Sequence, residues 1–301
     1  MRALVFSSYG SAEQVLSIKD VPKPVSEPGH VIVKVAAVGL NAADKLIMAG
    51  EPFPVRLAMG GIFRPSPDRV LGSDFAGTIE SVGPDVTQYK VGDAVYGQVD
   101  FATGKGAFAE YINFPVSGTI ALKPTNLTSE QAASIPISAQ TAYEALRDTL
   151  KVQKDQKILI NGASGGVGSF AVQIAKALGA QTTAICSTRN VEAAIALGAD
   201  EVIDYTKEDF TANSTKKYDG ILDIVGNHSI GAFRSVLVKN GTYVSAGGDP
   251  STFFSRTLCL LTSKLYSSQY LKLFMSNPSH ALLSDLKQLA EEGKLTPLIE
   301  K

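Results

Sequence analysis

Seven residues, Gly162-Ala-Ser-Gly-Gly-Val-Gly168, stand between an apolar run, Lys157–Asn161, and an Ala-rich run that ends at Gly179. Counted back from Gly168, Ala163-Ser-Gly165-Gly-Val-Gly168 is a dinucleotide-binding pattern with Ala at the first glycine position. Each glycine has a use in a strand–turn–helix context. Gly165 lets the backbone approach a phosphate, and Gly168 lets the helix pack closely on the strand. The turn leaves backbone N–H groups around Ser164, Gly165, Gly166 and Val167 at a helix N-terminus, where a pyrophosphate is favoured. The next apolar run, Gln181–Cys186, ends in Ser187-Thr188-Arg189. A carboxylate at this point would hold the ribose 2′-hydroxyl of NAD. None is present there, and Ser187 with Arg189 suits a 2′-phosphate, so the expected cofactor is NADP(H). Taken alone, Arg189 also reads as a solvated surface charge. Tyr205, closing Val202-Ile-Asp-Tyr205, falls at the same sheet edge, where flanking the adenosine and plain packing are both open to it.

The glycine turn also fits other chemistry. A Walker A loop needs Gly-Lys-Ser/Thr, and Ser169-Phe170 follow Gly168, which excludes it. Gly162-Ala-Ser164-Gly-Gly166 matches the Gly-x-Ser-x-Gly of a hydrolase nucleophile elbow, with Asp223 and His228 as partners. That reading sets the elbow in the first βα unit and leaves Ser187 and Arg189 unexplained. A second cluster, Asn41 and Asp44 in Gly39-Leu-Asn-Ala-Ala-Asp44, is accounted for by helix capping and a first-turn carboxylate. Sequence chemistry alone gives it no catalytic role. His30, His228 and His280 read as structural or solvent-facing, with His228 nearest the expected cofactor edge.

Elements must hold these residues in place. Short apolar or alternating runs at Ala3–Phe6, Val31–Val38, Asp74–Val82 and Ala94–Tyr96, punctuated by Pro and Gly, predict an antiparallel sheet or barrel in the first third. A helix is expected over Ala42–Ala49, entered at Asn41 and stopped by Gly50, with an ordered loop over Glu51–Arg69. A helical pattern begins with Ser129 as its N-cap. Beyond Lys157 strands are predicted at Lys157–Asn161, Gln181–Cys186, Glu201–Asp204, Gly220–Val225 and Thr242–Ala246, with helices between them such as Val167–Leu178 and Val191–Leu197. Repeated βα units imply an α/β fold with a parallel sheet covered on both faces. A last helix over Ser279–Glu292 puts Leu282, Leu283, Leu286 and Leu289 on one side and ends at Gly293.

Bulk properties narrow the partners. With 301 residues, 45% hydrophobic and 19% charged, the chain is globular and long enough for two domains. A formal net charge of -1 gives no case for nucleic acid or an acidic membrane. No apolar run is long enough to span a membrane, and the N-terminal run is too short for a signal peptide. Cys186 and Cys259, the two cysteines, point to a reducing compartment, and the cytoplasm is expected.

Beyond these readings, the chain resembles the zinc-free medium-chain dehydrogenases/reductases of the quinone oxidoreductase (zeta-crystallin) type. The resemblance runs through Gly39–Asp44, Leu71-Gly-Ser-Asp-Phe-Ala-Gly77, Val91–Gly97, Gly106–Tyr111, Ala132–Pro136, Thr141-Ala-Tyr143 and Asn161–Gly168. It implies a GroES-like β-rich catalytic domain over 1–125 and 276–301 beside a Rossmann doubly wound domain over 126–275. It also implies that Asn41, Asp44 and Thr141 lie near the nicotinamide, with Val225-Gly226 and Ala246-Gly247-Gly248 completing the cofactor site. Relatives continue past the position of Lys301 through a further helix and a returning strand, so a shortened or replaced C-terminal return is expected here, and a homodimer would form through the Rossmann sheets, with the apolar run Leu258–Phe274 as its surface. Zinc-dependent relatives carry Cys where Asn41 stands and His-Glu where Ser73-Asp74 stand, and this chain has no cysteine before Cys186. No metal is expected. The implied activity is NADPH-dependent hydride transfer to a quinone or an α,β-unsaturated carbonyl, with an NADPH-binding sensor of the same fold as the non-enzymatic alternative.

Overall fold

The computed structural model describes every residue except 52, 59–60, 101–102, 213–214, 249–252, 264–266 and 300–301. Two compact units are present, Met1–Ser138 with Pro278–Lys301, and Ala139–Asn277. In the first unit β1 (Arg2–Phe6) pairs antiparallel with β2 (Leu16–Asp20), and the short helix α1 (Ala12–Val15) lies between them in sequence. β3 (His30–Gly39) leads into α2 (Ala42–Ala49) and α3 (Pro54–Ala58), and β4 (Arg69–Val70) then pairs on the other side of β1. The Glu51–Arg69 segment therefore holds a helix and the start of a strand as well as loop, and three of its residues lie outside the described ones. β5 (Asp74–Val82), β6 (Ala94–Gln98), β7 (Tyr111–Pro115) and β8 (Thr119–Leu122) join β3 in an antiparallel sheet of order β7-β3-β5-β6-β8. Alternation gives this sheet one apolar face, and Val31, Val33, Phe75, Val95 and Ile120 are fully buried in it.

Two helices follow. α4 (Ser129–Ala133) is capped by Thr128 and not by Ser129. The reason is reciprocal: Thr128 Oγ1 accepts from Gln131 N at 3.2 Å while Gln131 Oε1 accepts from Thr128 N at 3.0 Å, and Gln131 sits where a capping box requires it. α5 (Pro136–Glu144) carries the chain into the second unit and continues as a π-helical turn, Ala145–Leu150.

The second unit alternates β9 (Lys157–Asn161), α6 (Gly166–Ala177), β10 (Gln181–Cys186), α7 (Val191–Ala196) and β11 (Glu201–Asp204), then β12 (Tyr218–Asp223), α8 (Ile230–Ser235), β13 (Leu237–Ser245), α9 (Phe253–Thr262) and β14 (Tyr270–Leu273). Its six strands form a parallel sheet of order β11-β10-β9-β12-β13-β14, the doubly wound arrangement expected from sequence. One expected helix is missing: between β11 and β12 the described residues form turns, in which Asp209 accepts from Thr211 and Phe210 is buried. β14 and α9 are additions that the sequence did not announce.

α10 (His280–Glu291) belongs to the first unit. Leu282, Leu283 and Leu286 are buried as expected, with Ala290 taking the last buried position and Leu289 only partly covered. Tyr96 OH donates to Leu283 O at 2.6 Å and Asn126 Nδ2 to Ala290 O at 2.7 Å, so the helix is tied along its length to that unit.

Candidate active site

In the second unit the glycine turn lies between β9 and α6. Gly162 takes φ +92°, and a Cβ there would come within 2.6 Å of Val225 Cγ2. A Cβ on Gly168 would collide with the Gly162 carbonyl oxygen and Ala163, so the helix can approach the strand this closely only with glycine. Gly165 is the N-cap of α6, and a Cβ there would meet nothing but the Gly162 oxygen at 3.5 Å. That open approach fits a phosphate. Ser164, Gly165 and Gly166 are exposed and Val167 partly so, at the N-terminus of a twelve-residue helix.

Parallel strands put all their C-terminal ends on one edge, so the segments after β10, β11, β12 and β13 share the edge of the glycine turn. Val225 and Gly226 follow β12, and Ala246, Gly247 and Gly248 follow β13. Ala246 N donates to Asp223 O at 2.8 Å, and a Cβ on Gly226 would lie 2.8 Å from Gly248 Cα. Backbone meets backbone there. Asp223, wholly buried, fixes these loops. Its Oδ1 accepts from Asn161 Nδ2 at 2.8 Å, Gly226 N at 2.9 Å and Val225 N at 3.3 Å, and its Oδ2 accepts from Tyr243 OH at 2.6 Å and from Arg256 Nη2. Arg256, on α9, also donates to His228 O at 3.0 Å and Gly226 O at 3.3 Å. Burial, and then the Asp223 charge, push the Tyr243 phenol upward.

This clamp disposes of the hydrolase reading. The Asp223 carboxylate is taken up by Asn161, Tyr243, Arg256 and backbone, while the His228 ring packs edge-on against Phe210 with centroids 4.9 Å apart. No Ser–His–Asp relay is formed among the described residues.

At the tip of β10, Ser187 is partly buried and Arg189 exposed, in a short 3-10 turn over Thr188–Asn190. The Arg189 side chain makes no hydrogen bond or ion pair to another described residue. Register pairs Cys186 with Asp204 of β11, so a carboxylate stands on the neighbouring strand tip. It is heavily engaged. Thr188 Oγ1 donates to Asp204 Oδ2 at 2.6 Å, Thr206 Oγ1 and N donate to Oδ1 at 2.7 and 3.0 Å, and Lys207 Nζ lies 3.3 Å from Oδ2. The Thr188 hydroxyl, followed by the Thr206 and Lys207 donors, holds Asp204 well below the usual carboxylate range. Tyr205, which follows β11, is 56% exposed. Thr206 and Lys207 were missed from sequence, and Thr188 was read only as part of the strand tip, although their adjacency to Ser187 and Tyr205 at parallel strand ends was the available signal.

In the first unit Asn41 caps α2, and Asp44 accepts from Asn41 N at 2.8 Å and from Ser73 Oγ at 3.4 Å. Asp74, at the start of β5, completes the group. Its Oδ2 accepts from Asn41 Nδ2 at 3.1 Å, and Ile137 N donates to both carboxyl oxygens at 3.1 and 3.2 Å. Both acids are buried. Desolvation is the main cause of a raised Asp44, and it pushes Asp74 up to about 8, with the nearby Asp44 charge adding to the shift. Capping alone therefore understates the cluster, since Ser73 and Asp74 turn it into a buried polar network around the Asn41 amide. Thr141 lies in α5, partly buried, within the second unit.

Known proteins carry the same two parts. The alcohol dehydrogenase GroES-like domain family matches residues 27–124, and the zinc-binding dehydrogenase family matches residues 197–301. Quinone-oxidoreductase QR1 of Triphysaria versicolor, a chloroplastic protein, is 32% identical over 100% of this chain and 90% of its own length. The chain belongs to the quinone oxidoreductase-like medium-chain dehydrogenases/reductases. Trans-enoyl reductase pgmF of Aspergillus terreus is 36% identical over 75% of this chain and 65% of that protein. The solved structure of the quinone oxidoreductase from Coxiella burnetii covers 100% of this chain and 90% of that one, with a TM-score of 0.85 and 28% identity. As a medium-chain dehydrogenase/reductase the chain is an oxidoreductase, with the nicotinamide-dinucleotide fold of that superfamily. No helix among the described residues is long and apolar enough to cross a membrane.

One family description names zinc, and the residues here do not fit it. Asn41 offers an amide where a thiolate would be needed, and its nitrogen is spent on Asp74. Among the described residues no three His, Cys, Asp or Glu side chains are grouped to hold a metal ion.

Proposed function

We propose that this oxidoreductase uses NADPH in preference to NADH and reduces a quinone or an α,β-unsaturated carbonyl by hydride transfer, independently of zinc. The observation that carries the reading is the tip of β10, where exposed Arg189 and the hydroxyl of Ser187 stand on the same sheet edge as the glycine turn. Asp204 next to them is tied up by Thr188, Thr206 and Lys207, so it is poorly placed to select a ribose hydroxyl. Substrate class is supported by the names of the relatives, quinone oxidoreductases and a trans-enoyl reductase.

In this reading Ser164, Gly165, Gly166 and Val167 hold the pyrophosphate, and Ser187, Arg189 and Tyr205 hold the adenosine end. Val225, Gly226, Ala246, Gly247 and Gly248 line the path toward the nicotinamide. When bound, NADPH supplies the hydride. Asn41 and Thr141 orient the acceptor, with buried Asp44 positioning Asn41, the loops exclude water, and solvent returns the proton to the reduced oxygen or carbon. The chain would act as a homodimer. Phe254, Leu258 and Leu261 recur along one side of α9 and are 64–71% exposed, and β14 is the edge strand of the sheet among the described residues, which suits a second copy. The test is loss of NADPH absorbance across a panel of quinones, enones and aldehydes, with NADH and EDTA controls. Turnover with quinones or enones is expected. Tight NADPH binding without turnover of any acceptor would leave the sensor reading in its place.

A further inference from the structure

The second unit has a second charged feature, on the opposite edge of its sheet. A cleft of about 700 Å³ opens where β12, β13 and β14 begin, at the end of the sheet away from the glycine turn. Lys217 precedes β12, Arg234 ends α8, and Lys239 lies in the first part of β13. All three line the cleft, and among the described residues none of its lining is acidic. In a chain whose net charge is -1, three cations around one cleft without a lining carboxylate form a local anion-attracting field.

The cleft is also held in shape. Gln269 accepts from Arg234 Nε at 3.2 Å through its Oε1, and its Nε2 donates to the carbonyl oxygens of Arg234 and Leu237, both at 3.0 Å. One side chain thus fixes the guanidinium and the backbone beneath it. Lys217 Nζ donates to Ser235 O at the C-terminal end of α8, which anchors the ammonium and leaves further protons for another acceptor. Lys239 is exposed and makes no hydrogen bond or ion pair to a described residue. Two cations held in place beside an exposed third suit a multiply charged anion, because most of the ordering is done before the ligand arrives. The cleft is wide open to solvent, which suits a charged group held against its cationic wall, and Val238 adds an apolar patch beside it.

We propose that this cleft binds a small organic phosphate carrying at least two negative charges, separately from the dinucleotide edge. The inference stands apart from the cofactor reading and does not need it. The probe is inorganic pyrophosphate, titrated calorimetrically into the full chain with and without saturating NADPH, and with sulfate at equal concentration as a control. With NADPH saturating, so that the glycine turn is filled, saturable binding at one site per chain is expected, and the NADPH-free arm adds at most the glycine turn as a second site. Lys239→Glu should weaken it by about tenfold or more while leaving NADPH oxidation unchanged. Lys217→Gln serves as the second variant, with a loss of similar size. The proposal is overturned if no pyrophosphate binds the NADPH-saturated chain, if neither variant changes the affinity in that arm, or if sulfate binds equally well, which would mean an adventitious ion only.

Discussion

Arg189 carries cofactor choice in this account, and it does so as an exposed side chain with no described partner to lose. A charge-assisted contact to a phosphate is worth about 1.5–3 kcal/mol. Arg189→Glu should therefore cut the kcat/KM preference for NADPH over NADH by about tenfold or more, read by steady-state comparison of the two cofactors. Unaltered selectivity would remove Arg189 from the site. Asp74 gives a second expectation at this scale. Burial raises it to about 8 in the folded chain, whereas the unfolded carboxyl titrates near its ordinary value of about 3.9. Neutral Asp74 then favours the fold fully below about pH 4, and that contribution falls as pH rises toward 8. Asp74→Asn keeps a neutral group at all pH values. Its melting temperature relative to wild type should rise between pH 5 and pH 8 by on the order of 5 °C, and a constant difference would contradict the buried-acid assignment.

Among the elements, the ends of β12 and β13 depend most on one clamp. Arg256 reaches from α9 to Asp223, Tyr243 and two loop carbonyls, and removing it would strand a buried carboxylate. Breaking such a pair costs about 3–5 kcal/mol. Arg256→Ala should show a loss of that order in urea unfolding, and a loss well below it would mean that the clamp is dispensable. The boundaries of the same strands show what sequence could convey. β9, β10 and β11 were legible to the residue, because a parallel sheet buries near-continuous apolar runs. β12 was expected to run on to Val225, but the Asp223 carboxyl accepts from Val225 N and Gly226 N and turns the chain two residues earlier. β13 was expected to start at Thr242, five residues after its actual start at Leu237. Asn240 takes φ +65°, yet the strand passes through it, with a register shift against β12. Long-range closure of this kind leaves no local mark. The same holds for Asp74, whose importance comes from packing against Asn41 across thirty-three positions of sequence.

Assembly and independence from metal are properties of the whole molecule. Charge placed on the exposed row of α9, as Leu258→Asp with Leu261→Asp, should convert a dimer to monomers in analytical ultracentrifugation. A wild-type chain that sediments as a monomer would refute the assembly. Both domain types were legible from motifs spread along the chain, whereas the cationic cleft was not, because Lys217, Arg234 and Lys239 come together only through the parallel strand order. The most direct test of the central claim compares kcat/KM for NADPH and NADH with a quinone acceptor, before and after exhaustive chelation. The expected result is an NADPH preference of about tenfold or more that chelation leaves unchanged. Equal use of NADH, or activity that disappears with the metal, would contradict the account.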